Sequence, residues 1–458
     1  MATPLTHLLE RSQEEWLIGY NIQNLIGQTQ KRYQEITPQT QTILLVERDP
    51  ICFLSSFIAA CSTNCHIFLC NPDWAESEWQ QVFELAQPNL IWGEAPLKKR
   101  TDKLPPPPQT SLIMIPTGGT SGKVRFAMHT WETLTASVQG FREYFEVDRI
   151  HSFCVLPLYH VSGLMQFMRS FTSNGKLIIL PWKSLETDTE ESINPQEFFL
   201  SLVPTQLQKL LNLHQPKHSW LSQFRTILLG GAPAWPELLE EARSLHLPIA
   251  PTYGMTETAS QIATLKPEDF LSGNFNSGRP LPHTQITIHN SKNNVLNIGE
   301  IGTIAIQSDS LMLGYYPELL KNSLYQPDDL GFFDSQGYLH IIGRDSQKII
   351  TGGENVFPSE VEAAILATKM VKDVCVMGIP DQIWGQIVTA VYVPNANLSD
   401  EIAISSSCPQ GVALTQKLSK FKHPKRWIAI AHLPRNPQGK INRSQLKDQL
   451  KEMMNTKQ

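Results

Sequence analysis

Residues 42–70 read TILLVERDPICFLSSFIAACSTNCHIFLC, and the fold class follows from this stretch. Thr42 to Val46 is an apolar run of strand length, Ile51 to Cys61 is apolar on every side over a helical length, and His66 to Cys70 is strand-like again. A strand, a buried helix and a second buried strand make a βαβ unit, which requires a parallel sheet covered by helices. The pattern repeats outward, with Glu76 to Leu85 helical and Asn89 to Trp92 a third strand. Leu112–Ile115, Leu177–Leu180 and Thr226–Leu229 continue it. Between them, Trp131 to Phe145 carries Leu134, Val138, Phe141 and Phe145 on one face, with Thr130 as N-cap. Pro105 to Pro108 interrupt the series as an extended spacer.

From about Gln285 the period shortens to two. Ile286/Ile288 and Ile304/Ile306 alternate between Gly299, Gly302 and Gly314, as in antiparallel β structure. Beyond Gly343 a tail has its own α/β pattern: Glu360 to Leu366 is helical, Val374–Val376 and Val388–Val393 are strand-like, and Arg443 to Met454 is an amphipathic helix. The expected organisation is α/β. A large N-terminal domain, 1–343, has parallel and mixed sheets covered by helices plus a small β subdomain; a junction at 344–347 leads to a small α+β C-terminal domain, 348–458.

The chain has 458 residues, 41% hydrophobic and 18% charged, a composition that excludes wholesale disorder. A net charge of −5 gives no electrostatic reason to expect nucleic acid or an anionic membrane as partner. Cys52, Cys61, Cys65, Cys70, Cys154, Cys375 and Cys408 are scattered and odd in number, which fits a reducing compartment. Cys61, Cys65 and Cys70 with His66 read as small buried side chains rather than a metal cluster. The opening MATPLTHLLERSQEEW lacks a signal-peptide core, and no apolar run approaches the ~20 residues of a membrane span. The expectation is a cytoplasmic enzyme with no stable membrane insertion; the sequence leaves a homodimer open.

The strongest local motif is Pro116-Thr117-Gly118-Gly119-Thr120-Ser121-Gly122-Lys123, directly after a strand. Glycines allow tight curvature, and exposed N–H groups with three hydroxyls can wrap an anion. It is not a Walker A loop: three residues separate Gly118 from Gly122 where four are needed, and Val124 stands where Ser or Thr is needed. On its own such a loop is more often an ordinary turn. Further blocks follow: Tyr253-Gly254-Met255-Thr256-Glu257, Asp328-Asp329-Leu330-Gly331, Gly343-Arg344-Asp345, Thr351-Gly352-Gly353-Glu354-Asn355 and the closing Pro434-Arg435-Asn436-Pro437-Gln438-Gly439-Lys440. A carboxylate can hold Mg²⁺, a hydroxyl can meet a phosphate oxygen, and an aromatic face can pack on a base.

In this order and spacing the blocks resemble the adenylate-forming superfamily of acyl-CoA synthetases, luciferases and adenylation domains, from about residue 110 to the C-terminus. The resemblance implies an acid–thiol ligase that uses ATP, Mg²⁺ and CoA on a small-molecule carboxylic acid. It implies that Thr117 to Lys123 hold the β- and γ-phosphates, that Glu257 ligates Mg²⁺ and that Thr256 contacts the α-phosphate. Tyr253 and Gly254 would line the nucleotide, with Tyr253 on one face of adenine and Gly231 and Ala232 on the other. Asp329 and Arg344 would bind ribose, and Lys440 would neutralise charge as the carboxylate attacks phosphorus. The superfamily further implies that the C-terminal domain is mobile and turns about 344–347, with Ser346 as pivot. The turn would bring Gly352, Gly353 and Glu354 into the site to admit the thiol. Where relatives carry Pro-Lys after the phosphate loop, this chain has Val124-Arg125, so Arg125 and Lys123 share the basic role there.

Amino-acid-activating relatives carry Asp where this chain has His160, which cannot serve as counter-ion to an α-ammonium. Leu156 to Gly163, Leu202 to Gln206 and Leu228 to Pro233 look most like the 2-succinylbenzoate–CoA ligases of menaquinone and phylloquinone biosynthesis. Such a dicarboxylate leaves one carboxylate unreacted, and His160, Ser162, Thr205, Gln206 and Lys209 are the acyl-pocket candidates. Thr205 and Gln206 serve equally well as caps of the helix that follows. Two alternatives stay open: a ligase for another aryl or medium-chain acid, and a non-catalytic nucleotide-binding descendant.

Overall fold

The structure is a computed structural model that describes residues 3–96, 111–118, 124–185, 194–213, 217–368, 370–381, 383–395, 418–435 and 440–455. The Pro105–Pro108 spacer, Cys408 and the phosphate-loop residues Gly119, Thr120, Ser121, Gly122 and Lys123 lie outside the described residues.

The 42–70 stretch forms a strand Thr42–Val46, a helix Pro50–Cys61 and a strand His66–Leu69, and the two strands pair in parallel. Asp49 starts the helix because its carboxylate accepts the Cys52 N–H at 2.9 Å, and Pro50 occupies the first turn, where its missing N–H costs nothing. Thr130 caps Trp131–Phe145 in the same way. Each such cap stabilises its helix by about 1 kcal/mol.

Two large sheets carry the N-terminal region. In one, Leu90–Gly93, Thr42–Val46, His66–Leu69 and Ile113–Gly118 run parallel, and Val124–His129, Gly314–Tyr315 and Glu318–Leu319 add antiparallel strands. In the other, five parallel pairings join Leu17–Ile18, Leu177–Ile179, His151–Cys154, Phe198–Leu202, Thr226–Leu229 and Ile249–Met255, before Ser260–Thr264 and Arg279–Pro280 turn antiparallel. The helices Pro50–Cys61, Trp131–Phe145 and Val161–Thr172 lie between the sheets. Phe57, Phe141 and Phe167 share one core there with Ile43 and Ile67 of the first sheet and Leu177 and Phe199 of the second. The alternate strand residues face outward against other helices: Leu44 and Phe68 against Trp79 and Val82, Leu200 and Ile227 against Leu207 and Leu238. Apolar residues on both faces of these strands explain why the sequence reads as continuous runs.

Thr284–His289, Gly302–Ser308, Asp329–Phe333 and Leu339–Arg344 form the expected antiparallel subdomain. Arg344 closes its last strand, opposite Asp329. In the C-terminal region, Val371–Asp381 and Gly385–Pro394 make a long hairpin joined by Ile349–Thr351, Glu354–Val356 and Arg426–Ala429. Val374 and Val376 pack on the helix Pro358–Leu366, while Cys375 and Met377 pack on Arg443–Asn455, as the two-residue period of a strand dictates. The hairpin exceeds the short apolar runs that signal it, because its ladder continues through Asp373 and Gln386.

Candidate active site

The candidate residues collect at the carboxyl ends of strands. Thr117 ends the strand Ile113–Gly118, His160 follows His151–Cys154, Gly231 and Ala232 follow Thr226–Leu229, and Tyr253 and Gly254 end Ile249–Met255. Ligands of open α/β sheets bind at these ends.

The strands Ile113–Gly118 and Val124–His129, on either side of the phosphate-loop motif, pair antiparallel, with Thr117 opposite Arg125 and Gly118 opposite Val124. Thr117 is buried and its hydroxyl has no hydrogen-bond partner among the described residues, a condition that costs stability until a ligand oxygen supplies one. At the far end of the hairpin His129 points back beneath the site. Its Nε2 lies 2.8 Å from the Thr256 carbonyl, which can only accept, so Nε2 carries the proton. Burial lowers the His129 pKa to about 4, so the ring is neutral.

Thr256 and Glu257 sit in a one-turn 3₁₀ helix between the antiparallel strands Ile249–Met255 and Ser260–Thr264. Gly254 is there for clearance: a Cβ would meet the Ser260 carbonyl oxygen at 2.1 Å. Ala259 and Ser260 leave the turn with positive φ, 49° and 91°, backbone strain of the kind that clusters at functional sites. Glu257 Oε1 accepts the Tyr315 hydroxyl at 2.5 Å, and Oε2 accepts no hydrogen bond among the described residues. Burial and Glu257 both raise the Tyr315 pKa, so the phenol remains a donor. Arg125 stacks on Tyr315, its guanidinium carbon 4.2 Å from the ring centre. A carboxylate with one oxygen held and the other open fits a divalent cation.

Asp329 is held from two sides. The Tyr253 hydroxyl donates to Oδ2 at 2.8 Å, and Arg344 Nε, on the neighbouring strand, lies 3.3 Å from Oδ1. Lys440 comes from the C-terminal region. Part of its side chain is exposed, yet lost hydration lowers its pKa, Arg344 lowers it further, and Glu257 and Asp329 oppose the fall. Lys440 in turn adds to the burial that pushes the His160 pKa down to about 3. Groups from both regions therefore feel one another's charge. The residues on either side of Lys440 are tied down: Arg435 Nη2 donates to both oxygens of Asp373, at 2.8 and 2.6 Å, and Arg443 donates to Glu362 at 2.5 Å.

At the junction, Ser346 lies in the 3₁₀ turn Asp345–Gln347, and both its N–H and its hydroxyl bind the Asp328 carboxylate. Gly352 and Gly353 form the two-residue turn between Ile349–Thr351 and Glu354–Val356, with φ of +58° and +86°, a turn that β-substituted residues resist. Glu354 is exposed beside them. Gly352 packs on Trp384, which is half-exposed and has Lys425 Nζ 2.9 Å from its ring centre.

The acyl-pocket candidates separate. His160 is buried at the N-cap of Val161–Thr172, and the Ser162 carbonyl accepts from Gln166 Nε2 at 2.9 Å. Gln206 caps its own helix, its amide oxygen accepting the Val203 N–H at 3.0 Å, so that oxygen is committed to the fold. Thr205 is half-buried beside it, and Lys209 is exposed. Sequence reasoning missed Arg169, 3% exposed on the His160 helix. Its guanidinium rests on Phe141 at 4.3 Å, touches Ser260 Oγ at 3.3 Å and Gln261 Oε1 at 3.2 Å, and pairs with no carboxylate among the described residues. Burial lowers its pKa to about 9. It lies nine residues beyond His160, roughly 13 Å along the axis, and long helical side chains lean back toward the N-terminus. An arginine inside an apolar helix pattern is the signal that pointed to it.

Glu257 with one oxygen held, Asp329 held by Tyr253 and Arg344, and Lys440 from the C-terminal region are the side chains that an adenylate-forming enzyme requires. The chain belongs to the AMP-binding enzyme family: that family's model matches residues 63–316, and the model of the AMP-binding enzyme C-terminal domain matches residues 360–440. The 2-succinylbenzoate–CoA ligase of Oceanobacillus iheyensis is 33% identical over 348 residues, 73% of this chain and 69% of the relative. That of Bacillus subtilis is 31% identical over 83% of this chain and 77% of its own length. A solved structure of the Bacillus subtilis o-succinylbenzoate CoA synthetase with its acyl-adenylate intermediate superposes with a TM-score of 0.78 at 25% identity, covering 96% of this chain and 97% of that one. Among the described residues, no helix is long and apolar enough to cross a membrane.

Proposed function

We propose that this chain is an acid–thiol ligase that joins 2-succinylbenzoate to coenzyme A through an acyl-adenylate, the step that the resemblance assigns to menaquinone and phylloquinone biosynthesis. The observation that carries the proposal is the position of Lys440, within electrostatic reach of Glu257, Asp329, Arg344 and His160. There a nucleotide and an acid would share one cation.

In the first half-reaction a carboxylate oxygen attacks the α-phosphorus of ATP, the P–O bond to the β-phosphate breaks, and pyrophosphate leaves. Negative charge builds on the α-phosphoryl oxygens, and Lys440 and the Thr256 hydroxyl face that charge. Fixed cations and donors of this kind commonly contribute about 10²–10³ in rate. Thr117 supplies to the phosphates a hydroxyl that has no partner among the described residues, and Asp329, oriented by Tyr253 and Arg344, accepts from the ribose hydroxyls. Glu257 Oε2 would hold Mg²⁺, whose charge offsets that of the phosphates when bound.

In the second half-reaction the CoA sulfur attacks the acyl carbon, the C–O bond to AMP breaks, and the thiol proton is lost to solvent. The C-terminal domain turns about Ser346 between the two, exchanging Lys440 for the Gly352–Gly353 turn. Breaking the Asp328–Ser346 contacts is part of that motion.

The buried guanidinium of Arg169, which pairs with no carboxylate among the described residues, favours a dicarboxylate over a simple aryl or fatty acid, since a second carboxylate would compensate it. The reading places the enzyme in the cytoplasm, where ATP and CoA are at hand. A panel of acids assayed by pyrophosphate release, with and without CoA, tests acid and thiol together. Turnover of benzoate or octanoate with none of 2-succinylbenzoate would sink the choice of acid.

A further inference from the structure

We propose that Tyr315 is a positioning residue for the metal-binding carboxylate: its hydroxyl holds Glu257 Oε1 so that Oε2 faces the cation accompanying ATP, and Arg125, stacked on its ring, fixes the phenol in that pose. The inference rests on the adenylation reading above and extends it to residues outside the motif blocks.

Tyr315 reaches Glu257 through main-chain ties on both sides. The Met312 N–H donates to the Glu257 carbonyl at 2.8 Å, and the Leu313 N–H donates to the Met128 carbonyl at 2.8 Å. The short strand Gly314–Tyr315 then pairs with Val124–His129, Tyr315 opposite Ala127. The strand that leaves the phosphate loop thus carries the element that orients Glu257. Its last residue, His129, also pins the Thr256 carbonyl.

Arg125 lies two residues from Ala127, on the same face of the strand, and so diagonally across from Tyr315. Long side chains bridge that diagonal spacing. The guanidinium carbon sits 4.2 Å from the ring centre, where a planar cation covers an aromatic face better than a lysine ammonium does. This gives a physical reason for arginine at position 125. A second phenol, Tyr325, lies 3.3 Å from the Tyr315 oxygen and restricts its rotation. The Tyr315 hydroxyl donates to Glu257 Oε1 at 2.5 Å, so the two side chains are in direct contact.

The test uses the full chain and Mn²⁺ as probe. Free Mn²⁺ is followed by electron paramagnetic resonance in the presence of α,β-methylene ATP, and binding of that analogue in EDTA is measured by calorimetry. Tyr315→Phe keeps the ring beneath Arg125 and removes only the hydroxyl. Mn²⁺ affinity should fall about tenfold, the factor expected for a lost hydrogen bond to a charged group. Analogue affinity in EDTA should stay within about twofold of wild type, and high Mg²⁺ should restore pyrophosphate release. Arg125→Lys should weaken Mn²⁺ binding in the same direction by a smaller factor. Wild-type Mn²⁺ affinity in Tyr315→Phe would overturn the inference, and so would an equal loss of analogue affinity in EDTA. The Mn²⁺ comparison needs no turnover, so a wild-type chain that releases no pyrophosphate with any acid counts against the proposed function alone.

Discussion

Replacing Arg169 with methionine should make the free protein more stable and the enzyme poorer at its acid. The guanidinium is 3% exposed, its contacts are the neutral Ser260, Gln261 and Phe141, and burial moves its pKa from 12.5 to about 9. At about 1.4 kcal/mol per tenfold, that difference corresponds to roughly 5 kcal/mol against the charged form. The folded pKa lies below the unfolded one, so the penalty is fully present below about pH 9, neutral pH included. Methionine has a similar length and no charge to desolvate, and replacing buried charge by apolar side chains commonly stabilises by about 1–4 kcal/mol. The opposite sign applies to binding. Removing one partner of a buried charge pair costs about 2–5 kcal/mol, which raises KM for a dicarboxylate roughly 30-fold to several thousand-fold. Two assays read the two signs: the thermal midpoint of the free protein, and pyrophosphate release with 2-succinylbenzoate against 4-oxo-4-phenylbutanoate, the same skeleton with one carboxylate. Arg169→Met should raise the midpoint and lose selectivity between the acids. Equal losses on both, or a lower midpoint with selectivity intact, would refute the assignment of the second carboxylate to Arg169.

Lys440→Ala should lower acid-dependent pyrophosphate release by about 10²–10³ while the calorimetric affinity for ATP stays near wild type; full activity would remove Lys440 from the chemistry. Gly352→Ala places a side chain at φ +58° with its Cβ 2.8 Å from Trp384. Thioester formation, followed chromatographically, should drop while adenylate formation persists, and equal losses in both would separate the turn from the thiol step. Burial holds His129, His160 and His283 at about 4, 3 and 4, below the 6.5 of a free ring, so the unfolded chain binds more protons across that interval. Stability to urea should therefore fall as pH drops from 6.5 toward 4, by up to about 3 kcal/mol for His129 alone. Identical urea midpoints at pH 7 and pH 5 would show that these rings are not held neutral.

What the sequence disclosed and what it hid divide along a physical line. Thr42–Val46, Pro50–Cys61 and Thr226–Leu229 could be read because burial on both faces writes continuous apolar runs into the chain. Thr256, Glu257, Asp329 and Lys440 stand out as candidates because each lies in a short block rich in polar and glycine residues, and Glu257 and Asp329 are each held by a tyrosine hydroxyl. The partners of Tyr315, Arg169 and Asp328 could not be read, since each acts on a residue removed in sequence: Tyr315 on Glu257 across 58 positions, Arg169 on Ser260 across 91, Asp328 on Ser346 across 18. A local pattern carries no information about which partner a sheet crossing will supply. The same limit bears on Gln206 and Lys209, whose place in the acyl pocket stays a proposal. Both lie on the helix Pro204–Leu211 with a polarity suited to a carboxylate, yet the fold spends the Gln206 oxygen on a cap and turns Lys209 to solvent. Arg169 is the better guide: it stands in an apolar helix, touches only the neutral Ser260 and Gln261 through hydrogen bonds, and has no counter-ion among the described residues, which is the environment in which a ligand carboxylate gains most from pairing.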